Sequence, residues 1–421
     1  MNLFQKLLSI ITLLLSINSS SQSTTAYLSS HSIDVFADLA NSIETIDPQF
    51  YKHQLYLVGE IHGIKSGQDI DYTLLTLLNK KINVTTYIAE IDFAKAYFLN
   101  QYLKTGDEKL IDIVFQDWVE QDAQWANTDF QNKIKKIRQL NQTLQPNQRI
   151  HFEGIDKIQN SILVAKYIRI LQKNKFIQKT SLVFGPLLEA LDKKEDASII
   201  NISTQLLEQL QQNKDFKSNP KPFNALEFAL TNCTLLKSSR EVTLYENFTS
   251  LYKIKEWENK KLYGFFGFAH ILQSKGNEGK SEFLATKIEK NPDLQLDGKI
   301  LSLALLYVNS KMTIPTIALP EAWQEKDKKF TATKHFNHDG ELINMEGIED
   351  FKIVTKPNSN TLFNLAGIAS PFFHKNIVIH YADTMPKGQR LLLNENGKYT
   401  TDYFQYIILV RDSEATQPIS K

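Results

Sequence analysis

Cysteine is almost absent from this chain of 421 residues, since Cys233 is the only one. A single cysteine excludes an intramolecular disulfide, and it excludes the zinc and redox sites that are built from C-x-x-C motifs. The chain also lacks a G-x-S-x-G sequence, which argues against a serine hydrolase with a nucleophile elbow. No internal repeat of the kind that builds solenoids or propellers is present.

An excess of charge of one sign is missing as well. The 48 Lys and Arg residues nearly balance the 47 Asp and Glu residues, for a net charge of +1. Nucleic-acid-binding proteins usually carry a basic excess, so we expect no nucleic-acid partner. With 42% hydrophobic and 11% aromatic residues, the chain has the composition of a globular protein with a sizeable core.

An apolar run near the N-terminus has the pattern of a secretory signal peptide. Lys6 precedes the run at 7–17 (LLSIITLLLSI), and a tract of small polar residues follows at 18–25. The run is shorter than the ~20 residues that a membrane span needs. We therefore expect residues 1–22 to be a signal peptide of an exported, periplasmic or secreted protein without a stable membrane span after cleavage; a short membrane anchor is the alternative.

Short apolar runs that alternate with helical patterns predict the fold. Several runs are apolar throughout, as in strands of a sheet that is covered on both faces. Helical patterns begin near Ser66, a candidate N-cap, and near Phe93. We predict an α/β fold with a mainly parallel sheet covered by helices on both faces. The candidate strands are 54–59, 86–89, 149–154, 262–268, 300–308, 377–381 and 403–410.

The middle of the chain has a different pattern. No strand is expected between about 157 and 258, which reads as several helices. We interpret this stretch as a helical insertion in a single domain spanning 23–421, with a separate helical domain as the alternative. Residues 327–360 are polar and are expected to be irregular. Cys233 lies in an apolar helical pattern (FALTNCTLL) and is expected in the core.

Ionisable residues follow four of the predicted strands. Glu60 and His62 follow the first (LVGEIHG), Glu90 follows the second (YIAEID), Asp156 the third (FEGID) and His270 the fourth (FGFAH). The carboxyl ends of parallel strands meet at one edge of a sheet, where open α/β sheets bind their ligands. We therefore expect three carboxylates and two imidazoles around one site.

Two kinds of chemistry fit these residue types. A neutral histidine held by a carboxylate can take a proton from water, because its pKa lies near neutral pH. The same set could instead hold a divalent metal that acidifies a bound water, with His62, His270, Glu60 and Glu90 as ligands. The residue types alone leave both possibilities open.

In their order along the chain, these motifs resemble the erythromycin esterase-like family, within a wider group that includes ChaN-like and TraB/TIKI-like proteins. The resemblance implies an α/β fold and the water-mediated cleavage of an ester or lactone in a small-molecule substrate. It implies His62 as general base, supported by Glu60, Glu90 and His270, with Asp156 and Arg240 as substrate-binding residues. The matching segments are 57–63, 87–103, Trp125, 137–142, 151–156, 240–247, 267–270 and the strand YFQYIILV.

Two positions depart from the esterase pattern. Only Ile61 separates Glu60 from His62, a spacing closer to the ChaN-like group, which is associated with haem. Gln273 stands where the esterases tend to carry a second late histidine. The main interpretation is a hydrolase without a cofactor. The alternatives are a metal-dependent hydrolase or peptidase of the TraB/TIKI type, and a ChaN-like protein that binds haem or another ligand without turnover.

Overall fold

The structure, a computed structural model, describes residues 23–34, 44–385 and 387–419. The expected signal peptide lies outside the described residues. The strands are β1 (Ser32–Asp34), β2 (Leu55–Glu60), β3 (Thr86–Ala89), β4 (His151–Gly154), β5 (Leu262–Gly267), β6 (Ile300–Val308), β7 (Met312–Pro315), β8 (Phe330–Thr333), β9 (Ile343–Met345), β10 (Asn360–Asn364), β11 (Ile379–Tyr381) and β12 (Tyr406–Arg411).

Helices occupy much of the remaining described chain, joined by loops and short 3-10 turns. They are α1 (Thr24–Ser30), α2 (Lys65–Ile82), α3 (Phe93–Thr105), α4 (Glu108–Glu120), α5 (Thr128–Thr143), α6 (Ser161–Leu171), α7 (Lys175–Gln178), α8 (Gly185–Asp192), α9 (Asp196–Gln212), α10 (Lys214–Ser218), α11 (Asn224–Thr234), α12 (Arg240–Ile254), α13 (Leu284–Glu289), α14 (Ile348–Ile353) and α15 (Thr400–Tyr403). No helix of the described segments is long and apolar enough to cross a membrane.

The main sheet of the described chain has eight strands in the order β1-β10-β12-β6-β2-β5-β3-β4. The six strands from β12 to β4 are parallel, whereas β10 runs antiparallel to β12 and β1 antiparallel to β10. Every residue of β2 and β6 is buried, which explains why nearly all residues of these strands are apolar; Glu60 and Ser302 are the exceptions. The prediction of an α/β fold with a mainly parallel sheet is confirmed.

Some boundaries differ from the sequence prediction. The stretch 377–381 contributes only β11, which pairs with β9 in a small separate sheet. Tyr403 ends helix α15, and β12 begins three residues later. Helix α2 begins at Lys65 rather than after a Ser66 cap, and the Ser66 N–H donates to Ser413 Oγ instead.

The polar stretch 327–360 was expected to be irregular, and this prediction is wrong. It contains β8, β9 and α14, and β8 pairs with β7. These strands are only three or four residues long, so their polar local sequence carries little signal. Pairing with another strand stabilises them, and such pairing is a property of the tertiary structure.

Residues 157–258 contain helices and no strand, as expected. Their buried apolar side chains belong to the same continuous core as the sheet. Leu187, Leu210 and Leu230 in this stretch are fully buried, and so is Cys233, as predicted for a small core residue. The helices α11 and α12 lead the chain back to β5, which places the first turn of α12 at the carboxyl edge of the sheet.

Candidate functional site

The site begins where β2 ends. Glu60 is the last residue of β2, is buried, and lies opposite Gly267, the last residue of β5. His62 follows in the loop, with its Nδ1 atom 2.8 Å from Glu60 Oε1. A carboxylate partner at Nδ1 places the proton of the neutral imidazole on that nitrogen, which leaves the lone pair on Nε2. The His62 side chain is 26% exposed.

Glu90, one residue after β3, lies between the two histidines. Its Oε1 atom is 4.0 Å from Nε2 of His62 and 3.5 Å from Nε2 of His270. Its Oε2 atom accepts a hydrogen bond of 2.7 Å from the backbone N–H of Gly267. The structure therefore brings Glu60, His62, Glu90 and His270 together at the carboxyl ends of three neighbouring strands.

His270 lies in the short turn after β5 and has a second carboxylate partner that sequence reasoning missed. Its Nδ1 atom is 2.6 Å from Glu241 Oε1, a contact that is an ion pair rather than a well-aligned hydrogen bond. Glu241 is the second residue of α12, and acidic residues are common in a first helical turn. Glu241 is next to Arg240, which the family resemblance implies as a substrate-binding residue. The sequence did not show, however, that this helical turn faces the strand ends.

Arg240, the first residue of α12, is held by two carboxylates. Its Nε atom donates to Asp156 Oδ1 at 3.0 Å, and its Nη2 atom donates to Asp156 Oδ2 at 2.7 Å. The same Nη2 atom lies 2.5 Å from Glu90 Oε1. Paired contacts of this kind fix a guanidinium group strongly. Asp156 is buried behind Arg240, so the partly exposed guanidinium is the member of this pair that solvent reaches.

Burial and charge act in opposite directions on the pKa values of the site. Burial raises the pKa of Glu60, and the contact with His62 only partly offsets it. Burial disfavours the charged form of both histidines, but their carboxylate partners more than compensate, so the pKa of His62 is raised and that of His270 reaches about 10. For Glu90, burial is outweighed by His270, His62 and Arg240, so its pKa lies well below its ordinary value. His270 is consequently a cation at neutral pH.

An aromatic side chain borders the histidine–carboxylate cluster. The Trp125 ring lies 5.3 Å from the His62 ring, tilted by 55°. Gln124, its neighbour, donates to the backbone oxygens of Thr313 and His62, which fastens this loop to the loop that carries His62. A Cβ atom on Gly267 would be 3.4 Å from His62 Nε2, so a larger residue there would fill space beside the imidazole.

The donor set does not fit a metal centre. Among the described residues, no three side chains of His, Cys, Asp or Glu converge as a metal site requires. The oxygens that face the histidines are already engaged, since Glu60 Oε1 contacts His62 and Glu90 Oε1 contacts Arg240. The four alternative ligands therefore contact one another and do not surround a shared point.

Fold and site together define an α/β protein with a histidine–carboxylate cluster at the carboxyl ends of its parallel strands. No protein-family model and no curated protein sequence matches the chain. Solved structures do share its fold. A protein of Bacillus cereus is 13% identical, with a TM-score of 0.68, over 95% of this chain and 100% of that one.

Two further solved structures, both of named proteins, share the fold. A succinoglycan biosynthesis protein is 13% identical with a TM-score of 0.61, over 96% of this chain and 100% of that one. A variant of the erythromycin esterase EreC, in its open conformation, is 12% identical with a TM-score of 0.57, over 89% of this chain and 94% of that one. These similarities show a shared fold along nearly the whole chain, including a structural relation to an erythromycin esterase.

Proposed function

We propose that the protein is a hydrolase that cleaves an ester or lactone with a water molecule activated by His62. The observation that carries the proposal is the arrangement of the two nitrogens of His62. Nδ1 is held by Glu60 at 2.8 Å, whereas among the described residues the ionic partner of Nε2 is Glu90 Oε1 at 4.0 Å, which is too distant for a direct hydrogen bond. The fold shared with an erythromycin esterase supports the same class of reaction.

In the proposed reaction, neutral His62 accepts a proton from water at Nε2 while the water oxygen bonds to the substrate carbonyl carbon. Glu60 stabilises the imidazolium that forms, because its carboxylate accepts the Nδ1 hydrogen bond. The tetrahedral oxyanion then collapses and the bond to the alkoxide breaks. Nε2 of His62 returns its proton to this leaving oxygen, which yields a carboxylic acid and an alcohol.

Two cationic groups can stabilise the developing oxyanion. Arg240 is positioned by Asp156 and Glu90, and 40% of its side chain is exposed. His270 carries a positive charge at neutral pH, since its pKa is about 10. One well-placed donor to an oxyanion is worth about 10²–10³ in rate, comparable to the ~10²–10⁴ from a general base.

The test compares His62→Gln with His151→Gln. His151 is a partly exposed histidine of β4 whose ionic contact lies outside the histidine–carboxylate cluster. The assay is hydrolysis of p-nitrophenyl acetate and of the lactone dihydrocoumarin. We expect His62→Gln to lower kcat/KM by about 10²–10⁴ in a protein that remains folded, and His151→Gln to leave it unchanged. Unchanged activity per folded His62→Gln molecule would contradict the assignment.

The pH profile gives an independent check. The base form of His62 is needed, and its pKa is raised, so kcat/KM should rise with pH through an inflection above 6.5. It should fall again near pH 10, where His270 loses its charge. A profile that is flat between pH 6 and 8 would be inconsistent with His62 as the base.

A further inference from the structure

The second oxygen of Glu60 is a buried acceptor that lacks a hydrogen-bond donor. Oε1 is engaged by His62, but Oε2 has no hydrogen-bond partner among the described residues. The hydroxyl of Tyr307, a fully buried residue of the adjacent strand β6, also lacks a well-aligned hydrogen bond within the described chain, although the backbone of Ile61 is near enough to act on its pKa. Buried polar groups are nearly always paired with protein or with an ordered water, so two such groups near one another need an explanation.

Both atoms lie beside Gly67 in the first turn of α2. A Cβ atom on Gly67 would be 2.8 Å from Glu60 Oε2 and 3.5 Å from the Tyr307 hydroxyl oxygen. Burial and the negative charge of Glu60 raise the pKa of Tyr307 well above 10, although the backbone of Ile61 acts in the opposite direction. The phenol is therefore neutral and keeps its proton to donate.

The other groups that act on Glu60 already have partners. Apart from His62, these groups are Lys133 and Asp71, which form an ion pair of 2.5 Å. Three donors converge on the Asp71 carboxylate at 2.5 to 2.8 Å, namely Lys133, Tyr87 and Tyr263. Of these groups and Tyr307, all of them within the described chain, the Tyr307 hydroxyl is the donor that remains available.

We propose that Tyr307 donates a hydrogen bond to one buried water that in turn donates to Glu60 Oε2, and is thereby a positioning residue for the His62–Glu60 pair. With Oε1 on His62 and Oε2 on this water, both ends of the carboxylate are held and its plane is fixed. The imidazole then keeps one orientation and one tautomer. The expected effect on turnover rests on the proposed function. The expected effect on the titration of His62 does not.

The test is Tyr307→Phe, which removes only the hydroxyl. Tyr56→Phe is the matched control, because Tyr56 lies at the amino end of β2 and its hydroxyl is also buried without a hydrogen-bond partner in the described part of the chain. The pKa of His62 is measured by NMR of histidine-labelled protein, with its signal assigned by its absence in His62→Gln.

A carboxylate that loses a donor becomes more basic and holds an imidazolium more tightly. We therefore expect Tyr307→Phe to raise the pKa of His62 by about one, equivalent to a tenfold change in proton affinity. The value of kcat on p-nitrophenyl acetate should fall about tenfold with little change in KM. Tyr56→Phe should change none of these quantities.

An unchanged His62 titration in folded Tyr307→Phe would overturn the proposal, and so would an equal shift in Tyr56→Phe. If Tyr307→Phe does not fold, Gly67→Ala provides the second variant, because its new Cβ would lie 2.8 Å from Oε2, so the carboxylate must shift and the titration of His62 should shift with it. A wild-type titration of Gly67→Ala would also contradict the proposal. The titration needs no substrate, so it remains decisive even if the protein hydrolyses no ester.

Discussion

The ion pair between Glu241 and His270 offers a quantitative test of the site's electrostatics. Burial alone would lower the pKa of His270, yet contacts of 2.6 Å to Glu241 and 3.5 Å to Glu90 raise it to about 10. Glu241→Gln keeps the size of the side chain and removes one negative charge. A neighbouring charge moves a pKa by ~1–3, so we expect the pKa of His270 in this variant to lie between about 7 and 9.

The same change should alter stability in a pH-dependent way. Because the folded-state pKa of His270 is above 6.5, its contribution is fully present below pH 6.5 and is lost as the pH rises towards about 10. A pKa change of one corresponds to 1.36 kcal/mol, so the rise from 6.5 to about 10 contributes about 5 kcal/mol to stability. Glu241→Gln should therefore lower the free energy of unfolding by ~1–4 kcal/mol at pH 6, and by less above pH 10.

Urea denaturation at pH 6 and pH 10.5 measures this difference, and histidine NMR measures the pKa itself. Glu246→Gln is the control, since Glu246 lies on the same helix and is exposed. It should leave both quantities at their wild-type values. A Glu241→Gln protein with the same His270 titration as the wild type, or with a loss of stability that does not depend on pH, would refute the reasoning.

Two further predictions concern the core and the N-terminus. Lys133→Met should lower the free energy of unfolding by about 3–5 kcal/mol, because it leaves the buried Asp71 carboxylate without its cation. Adding Asp71→Asn should recover much of that loss in the same denaturation assay, because it removes the buried charge and keeps an acceptor oxygen for the Tyr87 and Tyr263 hydroxyls; a double variant no more stable than the single one would contradict this. We also propose that the protein is exported, with a mature chain that begins between about residues 19 and 25. N-terminal sequencing of the protein from its host that finds an intact Met1 would contradict the export signal.

Much of the fold could be predicted because buried parallel strands are apolar along their whole length. The run at 300–308 predicted β6 to the residue, and the run at 86–89 did the same for β3. Strands β1 and β10 were missed. They are short, contain polar residues and run antiparallel at one side of the sheet, so their existence depends on pairing with β12 and with each other.

The candidate site was predictable to the extent that it depends on strand ends. Parallel strands bring their carboxyl ends to one edge of the sheet. Ionisable residues that follow such strands, such as Glu60, Glu90 and His270, can therefore be predicted to lie close together from the sequence alone. Glu241 and Tyr307 had no such signal. Glu241 lies beside Arg240 on a helix, but its local sequence does not show that it faces the strand ends, and Tyr307 lies inside an apolar run that indicates no polar partner.

By itself, the sequence determined the buried parallel strands, the helical stretch between them and which ionisable residues meet at the edge of the sheet, because local hydrophobic patterns and strand ends carry that information. Only the tertiary structure decided that α12 presents Glu241 to His270 and that β6 places Tyr307 beside Glu60. Such contacts depend on strand order and helix packing between distant parts of the chain. The protonation of His62 and His270 depends on them too, because a pKa is set by burial and by the charges that surround the group.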